Sequence, residues 1–194
     1  MKIVLATSNL DKVREIKNLL SDKYTILTPK DLNIANFEVE EDGETLEANA
    51  YIKAKELFNL VNLPTLADDT GLFVKALDNR PGVKSHRYAG DNPTYYDNRK
   101  KMLKELEGKT DRFAYFKTAI CYIDIKGQEH YFTGKIKGTI TDKDYGDNEF
   151  GYDQIFKPET SKLTFGQMSK KNKNDYSHRS LALEKLINFL EENK

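Results

Sequence analysis

Ala67-Asp68-Asp69-Thr70-Gly71 sets two adjacent carboxylates between one apolar run (Leu63, Leu66, Ala67) and another (Leu72, Phe73, Val74). The pattern reads as the end of one strand and the beginning of the next, with the acids facing a cleft rather than a core. A hard divalent cation such as Mg²⁺ takes one or two protein carboxylates and completes its shell with substrate phosphates and water, and a carboxylate beside it can accept a proton from that water. The chemistry indicated is metal-assisted phosphate chemistry. Asp-Asp-Thr-Gly is also ordinary turn composition, so the rest of the chain has to decide between the two readings.

Three other stretches bear on the choice. Ile3-Val4-Leu5-Ala6 reads as a buried strand and Val13, Ile16 and Leu20 recur at helical spacing, which makes the segment from Thr7 to Lys12 a strand-to-helix loop. Free backbone N–H groups and the positive end of a helix dipole at such a loop suit a polyphosphate. Thr7, Ser8 and Asn9 add small polar side chains and Lys12 a mobile charge, but there is no GxxxxGK[ST] sequence of a Walker loop. Further on, Glu40, Glu41, Asp42 and Glu44 crowd ahead of a helix whose apolar stripe is Leu46, Ala50, Ala54, Leu57, Phe58 and Val61. Acids at a helix N-terminus stabilise by about 0.3–1 kcal/mol each. Four within five positions exceed that need, so one is a candidate second metal ligand, and Asn49 is placed to face the same cleft. The third stretch is Phe150-Gly151-Tyr152-Asp153, where two aromatics around a glycine, followed by an acid, can form a slot for a flat base.

The remaining elements position these groups. Asn92-Pro93 reads as a helix start, with Asn92 as N-cap and Tyr95, Tyr96, Met102, Leu103 and Leu106 as the packing face. Residues 112–125 and 128–136 read as two strands of a hairpin around Lys126-Gly127. Ser169 to Asp175 reads as a charged, solvated loop. Ser177-His178-Arg179-Ser180 opens a last helix buried through Leu183, Leu186, Ile187 and Leu190. Two cations at that end oppose the dipole preference for acids and suggest an anion or a carbonyl-bearing ligand nearby.

Composition narrows the class. In 194 residues, 31 Lys and Arg balance 31 Asp and Glu, so no general charge draws the chain to nucleic acid or an anionic membrane. The single cysteine, Cys121, has no internal disulfide partner and suits a reducing cytoplasm. The opening MKIVLATSN is too short in its apolar part for a signal peptide or membrane span. Residues 1–194 are expected to form one soluble, cytoplasmic, two-lobed domain.

Six segments together resemble one family, the inosine triphosphate pyrophosphatases, also called Ham1-like or non-canonical purine NTP pyrophosphatases: LATSNLDKVREI at 5–16, EEDGETLEANAYIKAK at 40–55, LADDTGL at 66–72, PGVKSHRYAG at 81–90, FGYD at 150–153 and SHRSLAL at 177–183. The resemblance implies a mixed α/β fold with a long central sheet, its flanking helices forming two lobes around a cleft, and usually a homodimer. It implies Mg²⁺-dependent hydrolysis of ITP, dITP and XTP, small-molecule nucleoside triphosphates, to the monophosphate and pyrophosphate. Carried over by position, Thr7, Ser8, Asn9, Leu10, Asp11 and Lys12 resemble the phosphate-binding loop, Glu40 a metal ligand, and Asp69 both metal ligand and proton acceptor. Thr70 resembles a substrate contact, with Phe150, Gly151, Tyr152, Asp153, Lys173, His178 and Arg179 in the nucleotide pocket. Two positions depart: the family more often has Gly at Ser8 and Pro at Gln154. The competing reading is a non-catalytic nucleotide- or RNA-binding protein, stacking bases on FGYD and holding phosphates with Lys170 to Lys173. Neutral net charge and the acids at Glu40 and Asp69 count against it.

Overall fold

The computed structural model describes residues 1–20, 23–35 and 37–193. Among the described residues seven strands, β1 (Lys2–Leu5), β2 (Thr25–Leu27), β3 (Thr65–Val74), β4 (Arg80–Gly82), β5 (Phe113–Ile123), β6 (Glu129–Ile140) and β7 (Phe156–Pro158), form one sheet in the order β2-β1-β3-β5-β6-β7, with β4 paired to β3. The helices are α1 (Leu10–Leu20), α2 (Leu46–Val61), α3 (Tyr95–Glu105), α4 (Lys170–Asn174) and α5 (His178–Glu192). The sheet is mixed. β1 lies parallel to both β2 and β3, with Val4 opposite Leu27 and Thr65, while β3–β4 and β6–β7 are antiparallel. β5 and β6 are neighbours joined by only five residues, 124–128, too few for the crossover that a parallel pair needs, and form the expected hairpin. The mixed α/β architecture read from the sequence is the one observed.

The chain divides into two compact units, each discontinuous in sequence. The first comprises Met1–Asp69, Thr118–Gly134 and Arg179–Lys194. β1 and the parts of β3 and β5 in this unit are buried on both faces, and the period of two along each strand divides the residues between two cores. Ile3, Leu5, Leu66, Ile120 and Tyr122 pack with Ile16 and Leu20 of α1 and Leu183, Leu186 and Leu190 of α5. The alternate residues Val4, Ala6, Ala67, Cys121 and Ile123 pack with Ala50, Ala54 and Leu57 of α2. Coverage on both faces explains why these strands read as continuous apolar runs.

The second unit comprises Thr70–Lys117 and Lys135–His178. Its core gathers Leu72, Val74, Met102, Leu106, Phe116, Ile136, Tyr152, Phe156 and Phe165.

Four local expectations are corrected. Asp68 and Asp69 do not separate two strands, because β3 runs unbroken from Thr65 to Val74. The carboxylates are accommodated inside it by partners on helices. Asn92 does not cap α3: it sits in a turn with φ 53°, and Thr94 takes the cap, accepting from the Asp97 N–H while the Asp97 carboxylate accepts from the Thr94 N–H. That reciprocal pair satisfies two N-terminal donors at once. Tyr96 is 57% exposed; Met102 and Leu106 are buried as expected, and Asn98 and Arg99 join them on the buried face. Finally, Ser169 to Asp175 is no solvated loop. Ser169 caps the short helix α4, and Lys173 within it is 2% exposed.

Candidate active site

In the first unit the alternation along β3 gives the two acids different environments. Asp68 points with Leu66 toward the α1 and α5 side, and Asp69 points with Ala67 toward α2. Asp68 Oδ2 accepts from Arg179 Nε at 3.2 Å and Nη2 at 3.1 Å, and Lys12 Nζ lies 3.3 Å away. Arg179 also binds the Glu15 carboxylate of α1. Burial alone would raise the Asp68 pKa, but Lys12, Arg179 and Lys53 outweigh it and hold the carboxyl well below the usual range. Burial lowers the Lys12 ammonium, and Asp68 only partly offsets this.

Asp69 behaves in the opposite way. Asn49 Nδ2 donates to its Oδ2 at 3.3 Å, and Lys53 Nζ lies 3.6 Å from its Oδ1 and 3.0 Å from Glu41 Oε2. Burial raises the Asp69 pKa above the ordinary carboxylate value in spite of Lys53 and Lys12. Burial acts against the Lys53 ammonium, yet Asp69 and Glu41 more than restore it, so Lys53 remains charged. Asn49 has a second function: its Oδ1 accepts from the Gly43 N–H at 2.8 Å, tying the acidic segment ahead of α2 to Asp69. A Cβ at Gly43 would come within 2.5 Å of that same oxygen, so only glycine permits the approach. Glu41 is the acid from this segment that reaches Lys53, while Glu40 is exposed.

The segment from Thr7 to Lys12, expected as a loop throughout, is irregular only to Asn9, because α1 begins at Leu10 with the Asn9 side chain on its first N–H groups. Asn9 Oδ1 accepts from the N–H groups of Asp11 and Lys12 at 3.0 and 3.2 Å, and Thr7 Oγ1 from Asn9 N–H at 3.2 Å. Ser8 and Leu10 are exposed, and Ser8 does not have the positive φ that would demand glycine.

In the second unit the Phe150 to Asp153 loop meets α4. Lys173 Nζ donates to Asp153 Oδ2 at 2.6 Å and lies 4.9 Å from the centroid of the Phe150 ring, while Asn148 Nδ2 donates to the same carboxylate at 2.9 Å. His178 stacks on Phe116 with centroids 4.5 Å apart and planes 16° from parallel. Tyr152 is buried and donates to the Ser85 carbonyl at 2.7 Å. Gln154, where the family more often has Pro, is also buried and donates to the Gly146 carbonyl, closing the loop. Thr70 follows Asp69 in β3 and is half-buried.

Within the first unit the structure thus brings Lys12, Asp68, Asp69 and Arg179 into two linked ion networks, and within the second it joins Phe150, Asp153 and Lys173. Arg179 and His178, adjacent in sequence, contact different groups. Sequence reasoning missed Lys53 and Glu15 as members of these networks. Lys53 left a legible signal: with Asn49 it stands at i and i+4 inside the buried stripe Leu46, Ala50, Ala54, Leu57, where a polar pair requires a partner. Glu15, on a half-exposed turn of α1, left none.

Among the described residues no group of three or more His, Cys, Asp or Glu is placed to hold a metal ion. The donors present are carboxylate oxygens, and Glu15, Glu41, Asp68 and Asp69 exceed Lys12, Lys53 and Arg179 by one negative charge. That set fits a hard cation held by one or two carboxylates and completed by phosphate oxygens, not an all-protein cage.

A mixed sheet clad by helices, carrying buried carboxylates matched to lysines and an arginine beside a strand-to-helix loop, defines an α/β protein equipped to handle phosphorylated ligands. The chain belongs to the Ham1 family, whose sequence model matches residues 3–189. A dITP/XTP pyrophosphatase of Flavobacterium johnsoniae is 42% identical over 190 residues, covering 98% of both chains. One of Thermoanaerobacter pseudethanolicus is 44% identical over 193 residues, covering 98% of this chain and 96% of its own. Among solved structures, the Staphylococcus aureus Ham1 protein superposes with a TM-score of 0.90 at 39% identity over the whole of both chains, and a HAM1 protein from Coxiella burnetii with 0.89 at 36% over 99% of each.

Proposed function

We propose that this protein hydrolyses non-canonical purine nucleoside triphosphates, dITP, XTP and ITP, to the monophosphate and pyrophosphate. The observation that carries the reading is the environment of Asp69: a buried carboxylate with a raised pKa, oriented by Asn49 and held beside the Lys53 ammonium. A general base works best when its pKa lies near the operating pH, and burial moves Asp69 in that direction. Asp69 takes one proton from the attacking water as its oxygen bonds to the α-phosphorus. The bond from the α-phosphorus to the bridging oxygen breaks, and its electron pair leaves with pyrophosphate. Lys12 and Lys53 stabilise charge developing on the phosphate oxygens, because fixed ammonium groups in a poorly hydrated site need no reorganisation.

Asp69 with Glu40 would hold Mg²⁺, and Glu41 is the neighbouring acid whose pairing with Lys53 keeps the segment in place. When bound, the ion supplies Lewis-acid polarisation of phosphate oxygens and charge neutralisation. The segment from Thr7 to Lys12 is assigned to the phosphates through the Lys12 ammonium and the positive end of α1. Phe150 to Asp153, Thr70, Lys173 and His178 are assigned to the nucleoside, with Phe150 stacking on the base. A 6-oxo purine presents a carbonyl acceptor where adenine presents an amino donor, so a wall of donors favours hypoxanthine and xanthine. Arg179, anchored by Asp68 and Glu15, is assigned to the substrate as well. By family resemblance the active form is a homodimer, for which light scattering should return twice the chain mass.

The test is an end-point assay of dITP, ITP, XTP, GTP and ATP, with Mg²⁺ and with a chelator. The expected result is turnover of the first three that requires Mg²⁺ and vanishes in Asp69→Asn while circular dichroism stays unchanged. Undiminished turnover in that variant would remove Asp69 from the chemistry.

A further inference from the structure

The cluster that the reaction itself leaves unexplained lies on α3. Arg99 is 3% exposed, and its hydrogen bonds reach into the segment that carries FGYD. Nε donates to Asp144 Oδ1 at 3.0 Å and Nη2 to Asp144 Oδ2 at 3.1 Å, a two-point fork on a carboxylate at the entry to the loop. Nη1 donates to the carbonyls of Glu149 and Gly151 at 3.3 and 3.2 Å, the residues on either side of Phe150. One turn earlier on the same helix, Tyr95 meets the Phe150 ring edge-on with centroids 5.6 Å apart. Gly151 itself adds no packing: it has φ 57°, and a Cβ added there would find nothing within 4 Å. Tyr152 and Asp153 anchor the C-terminal side of the loop, and the two carbonyl contacts from Arg99 add a backbone restraint at Glu149 and Gly151.

We propose that Arg99 is a positioning residue for nucleoside recognition: it fixes the peptide units on both sides of Phe150, and so the plane of that ring and the direction of Asp153, without touching substrate itself. The proposal rests on assigning Phe150 to Asp153 to the nucleoside. Its consequence is specific. Loosening the loop should weaken base recognition and discrimination while the phosphate chemistry, carried by residues of the first unit, continues.

The experiment compares Arg99→Met, Arg99→Lys, Asp144→Asn and Phe150→Ala in the full chain, measuring kcat and KM for dITP and for dATP. In Arg99→Met the KM for dITP should rise by about tenfold with kcat within about threefold, and the dITP-to-dATP ratio of kcat/KM should fall by about tenfold. Arg99→Lys keeps the charge but cannot fork across a carboxylate and two carbonyls, so it should restore only part of the loss. Should Arg99→Met fail to fold, Arg99→Lys and Asp144→Asn carry the test with smaller shifts in the same direction. A purely structural role would lower the active fraction for both substrates alike and leave their ratio unchanged. An unchanged ratio in the folded Arg99 and Asp144 variants, with Phe150→Ala lowering it, would overturn the positioning role and leave the loop assignment standing. An unchanged ratio in Phe150→Ala as well would overturn the assignment and the proposal with it.

Discussion

Asp68 and Asp69 are neighbours whose functions differ because a strand sends consecutive side chains to opposite faces. Asp68 meets Lys12 and Arg179 and is locked as an anion; Asp69 meets Asn49 and Lys53 and is held where burial raises its pKa. Removing one member of a buried ion network leaves the others charged and unmatched, which costs about 3–5 kcal/mol. Asp68→Ala should therefore lower the unfolding free energy from urea titration by an amount in that range, whereas Asp69→Asn, which keeps the shape and a polar contact to Asn49, should lose far less. Equal destabilisation by the two substitutions would contradict the division of labour. These roles were only half legible. The acids stood out as a pair, but the partners that allow them inside a strand are remote, Lys12 by 56 positions and Arg179 by 111. A pair of acids in an apolar run therefore looked like a break in it.

At the scale of elements, the signals that survive in sequence are periodic ones. α2 and α5 were readable from their apolar stripes, and the β5–β6 hairpin from two strand runs around Lys126-Gly127. Where a helix buries polar groups the pattern misled: α3 turns Asn98 and Arg99 inward and leaves Tyr96 outside, because those two side chains hold backbone of residues 86–89 and 149–151. Lys173 was hidden likewise, since a charge-rich stretch gives no sign that one of its lysines pairs with Asp153. The start of α3 provides a test with a defined sign. Thr94→Ala removes the side-chain cap and should cost about 1 kcal/mol. The Thr94 hydroxyl and N–H also lower the Asp97 pKa in the folded state. A carboxyl with a depressed folded pKa contributes stability that is present above its unfolded value of about 3.9 and is lost as pH falls through the lower folded value. Urea titrations of both proteins from neutral pH to below pH 3 should show the gap narrowing toward the acid end to the part due to the Thr94 hydroxyl on the Asp97 N–H, which does not titrate. A gap that stays constant with pH would show that the hydroxyl and the Asp97 carboxylate do not act together.

For the molecule as a whole, family membership and a sheet matched across full-length relatives establish the scaffold, and no helix among the described residues is long and apolar enough to cross a membrane. The equal numbers of acidic and basic residues conceal local separation: carboxylates with Lys12, Lys53 and Arg179 in the first unit, a lysine-acid pair among aromatics in the second. In chemical type the first set suits phosphate groups and the second a flat ring. The central claim is that water attacks the α-phosphorus, and it is tested most directly by one turnover of dITP in ¹⁸O-labelled water with Mg²⁺. The account predicts label in the monophosphate alone and unlabelled pyrophosphate as the other product. Label in orthophosphate or in pyrophosphate would place the attack at a different phosphorus and contradict it.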